Sequence, residues 1–478
     1  MIMFHSFLLT CLTAFIMTTA TTALAIGEPQ PMHNANHIFN AIHSSMRQWG
    51  SSLHHNGMSF FLASVPKGVK LYHGDARSDP ISRIGWMAFD PEHAMVFARP
   101  PSKLPSHGMD SESQQVMITP AETGWLHTYA TTEDLRLVYI DGTSAGKSQI
   151  GTLDLQDRVL FEDKLEPGGV SQESARAQAI CEIAQEEWNG RIDGVIRMAA
   201  GFEIILCNPE QNLETVNIAR VTLPSRDPGK KSGKPSDLLR TVTSRYHGIG
   251  GDRVIVNYDA FVTAYDYGLD LFPGGSKHPR LAHLPASSLA PIRDDLTALV
   301  MTHDPTIRVI NWQAVADMVV EKYGRILRGL VTAQHDDQAA HLEFVVEAAE
   351  RILSPFVDRD NRDYYAEIDR CASQFIPVHA PKNSLGYRSV YTVSSRICSS
   401  LMAVMETKDY STATNTLQEL MHYLDWSVWK DCSGCQDDEF CAVPIWPQGS
   451  QEDYDHPRCQ KFDSAFQGDN DYWGPVWH

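Results

Sequence analysis

The chain has 478 residues, and 59 Asp and Glu against 40 Lys and Arg leave a net charge of −19. A surface that acidic repels phosphate backbones and anionic lipid heads, which argues against nucleic acid or a membrane as partner. The length suffices for two or three domains with sizeable cores.

An apolar run from Phe7 to Met17 is followed by small residues ending in Ala23-Leu24-Ala25. This is the pattern of a secretory signal over 1–25, too short to span a bilayer, and it predicts a secreted, extracellular protein. Of the nine cysteines, Cys11 lies in the signal. The remaining eight are an even number in an oxidising compartment, which predicts four disulfides.

A helix is expected from His37 to Trp49. His54-His55 reads as a solvated loop rather than a metal site, because adjacent histidines cannot point the same way on a strand. Val69 to Arg99 then reads as a strand ending in Leu71-Tyr72-His73-Gly74, a loop, a second strand from Trp86 to Phe89, and a helix with Asp90 as N-cap and Pro91 at its first position. Pro101 to Glu122 is loop in composition. Strands follow at Trp125–Ala130 and Leu135–Ile140.

Asp141-Gly-Thr-Ser-Ala-Gly-Lys147-Ser148 ends like a phosphate-binding loop, but an acid stands where the loop needs its first glycine, so it reads as a turn. Ser171 caps a helix to about Trp188 with Ala175, Ala179, Ile180, Ile183 and Ala184 on one face. Strands at Val195–Met198 and Phe202–Cys207 come next, and Cys181 and Cys207 are candidates for a staple. Asp227 to Ser236, rich in Gly, Pro and Lys, is the best linker.

Beyond it, Arg253–Tyr258 and Ala260–Tyr265 read as strands. From Asn311 apolar residues keep helical spacing through Leu424. The tail from Trp426 is rich in tryptophan and acid. Its Cys432, Cys435, Cys441 and Cys459 have a spacing that also suits zinc, but an oxidising compartment favours disulfides. No metal is expected.

The strand, His-Gly, loop, strand and capped helix of 69–99 resemble the opening of ADP-ribosyltransferases of the His-Tyr-Glu type. That resemblance implies an ADP-ribosyltransferase-like split β-sheet domain over 26–225; with the composition and periodicity of the rest, the chain reads as α+β, with a linker over 226–238, a mainly helical domain over 239–425 and a Cys-rich tail over 426–478. It further implies that His73 holds a ribose hydroxyl of NAD and that Gly74 lines the same cleft. Trp86 or Phe89 would stack on nicotinamide. Glu203, in the apolar strand Gly201-Phe-Glu-Ile-Ile-Leu-Cys207, would be the catalytic carboxylate beside an oxocarbenium-like transition state. His73 and Glu203 must then flank one sugar-sized hollow.

NAD is the expected substrate, with a protein acceptor or water completing the reaction. The expected tyrosine is replaced by Trp86 or Phe89, and Gly201 two positions before Glu203 argues against arginine as acceptor. Taken as residues alone, His73 equally fits a core histidine bonded to a carbonyl, and Glu203 an outward-facing strand residue. Tyr139 to Lys147 and Cys441-Ala-Val-Pro-Ile-Trp-Pro447 resemble an uncharacterised family of secreted fungal proteins, which implies no activity. The competing reading is therefore a non-enzymatic, disulfide-stabilised binding or effector protein, with a transferase fold that has lost its activity.

Overall fold

The computed structural model describes residues 32–99, 123–165, 172–222, 236–305, 309–335, 337–466, 468 and 470–474. The signal, the Pro101–Glu122 loop and nearly all of the linker lie outside the described residues. Residues 32–478 form one compact unit. It is a mixed α+β structure with a sheet region first and a helical region after it.

Nine strands build one sheet: β1 (Asn56–Val65), β2 (Lys70–Asp75), β3 (Gly85–Ala88), β4 (Thr123–Thr131), β5 (Leu135–Gly142), β6 (Gly194–Met198), β7 (Phe202–Leu206), β8 (Leu213–Thr222) and β9 (Ile255–Thr263). Their order is β8-β4-β2-β3-β7-β6-β5-β1-β9. Only β5 and β6 run parallel. Strand β1 has no counterpart in the sequence reading. It is buried along almost its whole length, and a strand covered on both faces loses the alternation that betrays strands. The two strands expected between Arg253 and Tyr265 are the single β9, which extends the sheet beside β1.

The short helices are α1 (Ala35–Ser44), α2 (Gln48–Leu53), α3 (Pro91–Met95), α4 (Glu173–Glu182), α5 (Pro209–Asn212) and α6 (Ser236–Ser244). The helix expected over His37–Trp49 is thus two, broken where Met46 takes a positive φ of 54°. Asp90 precedes α3, but its side chain makes no cap bond; it meets Arg245 at 3.2 Å and Arg253 at 3.7 Å instead. On α4 the covered face carries Arg176, Ala177 and Ile180, while Ala175 is exposed.

The helical region comprises α7 (Ala286–Thr302), α8 (Trp312–Thr332), α9 (Gln338–Leu353), α10 (Tyr364–Ala372), α11 (Leu385–Glu406) and α12 (Tyr410–Leu424). Asn311, Asp337, Asp363, Ser384 and Asp409 cap α8 to α12 with side-chain oxygens on early backbone N–H groups. The apolar stripes of α8, α9, α11 and α12 pack into the same core as the sheet's buried residues. The tail adds α13 (Gln451–Asp455) and the hairpin β10 (Glu439–Ala442) with β11 (Arg458–Lys461). A separate apolar cluster joins Phe440, Val443 and Phe462 of the tail to Trp49, Leu53 and Val242. No described helix is long and apolar enough to cross a membrane.

Four disulfides form: Cys181–Cys207, Cys371–Cys398, Cys432–Cys441 and Cys435–Cys459. All four tail thiols are consumed, so the zinc-like spacing holds no thiolates.

Candidate functional site

Strand register decides whether His73 and Glu203 can act together. Tyr72 of β2 is paired with Ala88 of β3, Ala88 with Glu203 of β7, and Glu203 with Arg197 of β6. Directly paired residues share a face and successive residues alternate, so Tyr72, Ala88, Glu203 and Arg197 point one way and His73 the other. Helix α3 lies on the Glu203 face: a Cβ added to Gly74 would meet the Ala94 carbonyl at 2.0 Å, and the His93 ring lies against Gly201.

The expectation of one hollow between imidazole and carboxylate is therefore overturned. His73 Nδ1 donates to the Trp86 carbonyl at 2.9 Å, and its ring meets that of its cross-strand partner His127 at 5.8 Å. Burial lowers the His73 pKa, so the ring is neutral at pH 7. On this face the loop after β2 is tied down. The Ile81 N–H donates to the Tyr129 hydroxyl, that hydroxyl donates to His127 Nδ1, and His127 Nε2 donates to the Arg77 carbonyl.

The remaining expected residues do not gather either. Gly74 is roofed by α3 and Phe89 is 1 % exposed, so neither lines an open cleft. Trp86 is half-buried on the Glu203 face.

Glu203 is not an outward-facing strand residue but the buried end of an ion-pair chain. Its Oε1 accepts from Arg197 Nε at 2.9 Å. Arg197, wholly buried, also meets Glu173 of α4 and donates through Nη1 to Gln156 at 3.2 Å. Glu173 reaches Lys147 Nζ at 3.3 Å. Glu173 is held by charge rather than by aligned hydrogen bonds, and Gln156 Nε2 has no partner.

Burial pushes the Glu203 carboxyl up, but Arg197, Lys147 and His93 outweigh it and hold it below the usual carboxylate range. Burial, opposed by Glu203, brings Lys147 down to about 8. Two cations answer two carboxylates, and burial, opposed by Glu203 and Asp90, lowers the His93 pKa. Such a set fixes α4 and the short helical segment Leu155–Leu160 to the sheet and engages Glu203 through Oε1.

The segment 141–148 is a turn that spends four of its N–H groups on backbone carbonyls. Thr143 N–H bonds the His55 carbonyl, Ala145 that of Met198, Gly146 that of Thr143, and Ser148 that of Gly146. Asp141 is buried, accepts from the Ser59 N–H at 2.8 Å and is pushed up to about 7 by burial. The segment supplies one functional group that its motif concealed, Lys147, whose ammonium also lies 5.3 Å from the Trp446 ring.

His54-His55 is not a solvated loop. His55 is wholly buried, with Nδ1 on Asn56 at 2.6 Å and Nε2 on the Tyr472 hydroxyl at 2.7 Å, so both nitrogens are occupied.

The model of the YPL277C N-terminal domain matches residues 28–124 and 102–228, under half of the chain but all of β1 to β8. Two proteins of Saccharomyces cerevisiae, uncharacterized protein YPL277C and uncharacterized protein YOR389W, are each 28 % identical to this chain. Their alignments run over 221 and 220 residues, 40 % of the chain in both cases. The chain spans less than half the length of these relatives, 44 % and 34 %. No solved structure matches. The sheet region is thus similar to an uncharacterised fungal family, and no likeness to ADP-ribosyltransferases emerges. Tyr139–Lys147 falls inside the matched span; Cys441–Pro447 falls outside it.

Proposed function

We propose that this is an exported, disulfide-braced binding protein rather than an NAD-consuming enzyme, and that its sheet serves as a rigid support. The observation that carries this reading is the commitment of Glu203. An NAD-cleaving carboxylate must face the ribose beside the ribose-holding histidine. Here the carboxylate is neutralised by Arg197 on one face of the sheet, and the imidazole is bonded to a strand carbonyl near the opposite face. The signal-like first 25 residues support export, and four closed cystines suit an oxidising compartment.

The test is nicotinamide release from NAD by the purified full-length protein. The binding reading expects no release above the protein-free rate. Release that disappears in Glu203→Gln, with the variant still folded, would restore the enzyme reading.

A further inference from the structure

Two cystines brace the tail, Cys432–Cys441 and Cys435–Cys459, and both close within it, so neither ties it to the rest of the chain. The hairpin of β10 and β11 sets them side by side, because Cys441 and Cys459 are directly paired across its strands. Directly opposed residues share a face with their Cβ atoms about 5 Å apart, so both side chains leave the hairpin on one side. These two are not bonded to each other. Each reaches instead to one end of the turn Cys432-Ser-Gly-Cys435, where Gly434 takes a positive φ of 82°.

Four sulfurs from two strands and a turn are thereby gathered at one point. The Sγ atoms of Cys432, Cys435 and Cys459 all lie within 4.8 Å of one another, and that of Cys441 is bonded to Cys432. Among the described residues no other group of three or more His, Cys, Asp or Glu side chains brings its ligand atoms so close. A tetrahedral Zn2+ with four thiolate bonds of about 2.3 Å sets its sulfurs about 3.8 Å apart. The widest of the gaps within this trio therefore closes by about 1 Å at most. One backbone donor is already in place: the Cys432 N–H donates to Cys441 Sγ at 3.0 Å, a bond that strengthens when the sulfur is an anion.

The frame around the sulfurs does not depend on the cystines. Phe440 precedes Cys441 and so points to the other face of β10. It stacks on Phe462 at 5.1 Å and joins Trp49, Leu53 and Val242 in an apolar cluster. Cys432, Cys435 and Cys459 are partly exposed, so a reductant reaches both bridges.

We propose that the tail is a redox-gated metal site: oxidised, its four cysteines form two cystines; reduced, they hold one Zn2+ as four thiolates. Opening takes two electrons and two protons per cystine from a dithiol, which leaves as its own cyclic disulfide. Zn2+ then displaces the four thiol protons to solvent as it binds the four sulfurs. Four thiolates select this ion over Mg2+ or Ca2+, which take oxygen ligands. The proposal concerns the tail alone and goes beyond the binding reading above without resting on it.

To test it, the full-length protein is reduced with excess dithiothreitol, desalted under nitrogen and titrated with Co2+, whose colour reports its ligands. One equivalent gives the intense visible bands of tetrahedral cobalt with thiolate charge transfer in the near ultraviolet, and one equivalent of Zn2+ bleaches them. The oxidised protein gives neither band. Cys435→Ser/Cys459→Ser loses the spectrum, whereas Cys181→Ser/Cys207→Ser keeps it at the same stoichiometry. Cys459→His can ligate a metal but cannot close a cystine, and it binds one Co2+ with bands shifted to shorter wavelength, which separates a lost ligand from a misfolded tail. Reduced protein that takes up no cobalt, a spectrum that survives loss of Cys435 and Cys459, a Cys459→His protein that binds none, or equal binding by the oxidised protein overturns the assignment.

Discussion

Around Glu203, two carboxylates, a guanidinium and an ammonium from four segments close on one another beneath the sheet. At the Ser44 cleft, lined also by Arg47, Asp317, Glu321 and Asp431, a buried hydroxyl and a guanidinium N–H by contrast lack partners, and Asp431 at the rim feels His247 and Arg328 without a close ion pair among the described residues. Both regions place polar groups out of water, which is costly unless they are paired. The first region offsets that cost by pairing opposite charges, although both Glu173 oxygens and Gln156 Nε2 make no aligned hydrogen bond. The second pairs Asp317 with Arg47 and leaves Glu321 and Asp431 at the surface, so fewer charges are buried there.

The comparison can be broken at several points, beginning with the largest effect. Acidification attacks three largely buried histidines. His37, His43 and His278 are each lowered from 6.5 to about 4, in every case first by burial. A histidine with a depressed folded pKa binds its proton more readily in the unfolded chain. Its contribution is therefore intact above pH 6.5 and lost as pH falls toward 4. Asp141, raised to about 7 by burial, acts the other way, favouring the fold as pH falls from 7 to 4. Three histidines against one carboxyl give a net loss on the order of several kcal/mol at about 1.4 kcal/mol per unit. Urea midpoints measured between pH 7 and pH 4 should fall steeply, and a flat profile would mean that these rings are solvated.

Next in size, Arg197→Met leaves Glu203 and Glu173 buried without their shared cation and should cost about 3–5 kcal/mol. Adding Glu203→Leu should restore part of that loss; no restoration would mean that the two do not act as a pair. Replacing Cys181 and Cys207 by serine opens the bridge between α4 and the end of β7 and should cost about 3 kcal/mol for a loop of this length. Smaller again, Gly74→Ala forces a methyl against the Ala94 carbonyl and should cost about 1–3 kcal/mol by displacing α3. In an NAD cleft the same methyl would meet ligand rather than backbone and leave the free protein's stability unchanged.

Much of the framework was legible in the chain. Strands β2, β3, β6 and β7 show alternation or short apolar runs bounded by glycine, and Pro91 marks the start of α3. Strand β1 was hidden because burial on both faces erases its period. Helix α7 was hidden because Pro291 sits inside it. Glu203 stood out as a charge in an apolar strand, but its meaning depended on Arg197, which breaks the neighbouring run Val195-Ile-Arg-Met198 in the same way. Opposite charges in adjacent apolar strands of a hairpin were the available sign of a buried pair. The Ser44 cleft left no such mark, because its residues come from five segments spread over nearly 390 positions and are assembled only by the fold.

The reading of the Glu203 cluster as a brace is tested most directly by measuring melting temperature and nicotinamide release from NAD side by side in the unaltered protein, Arg197→Met and Glu203→Gln. The account predicts that Arg197→Met loses several degrees or more and that none of the three releases nicotinamide above the protein-free rate. Release by the unaltered protein that disappears in a folded Glu203→Gln, or an Arg197→Met that stays fully stable, would contradict it.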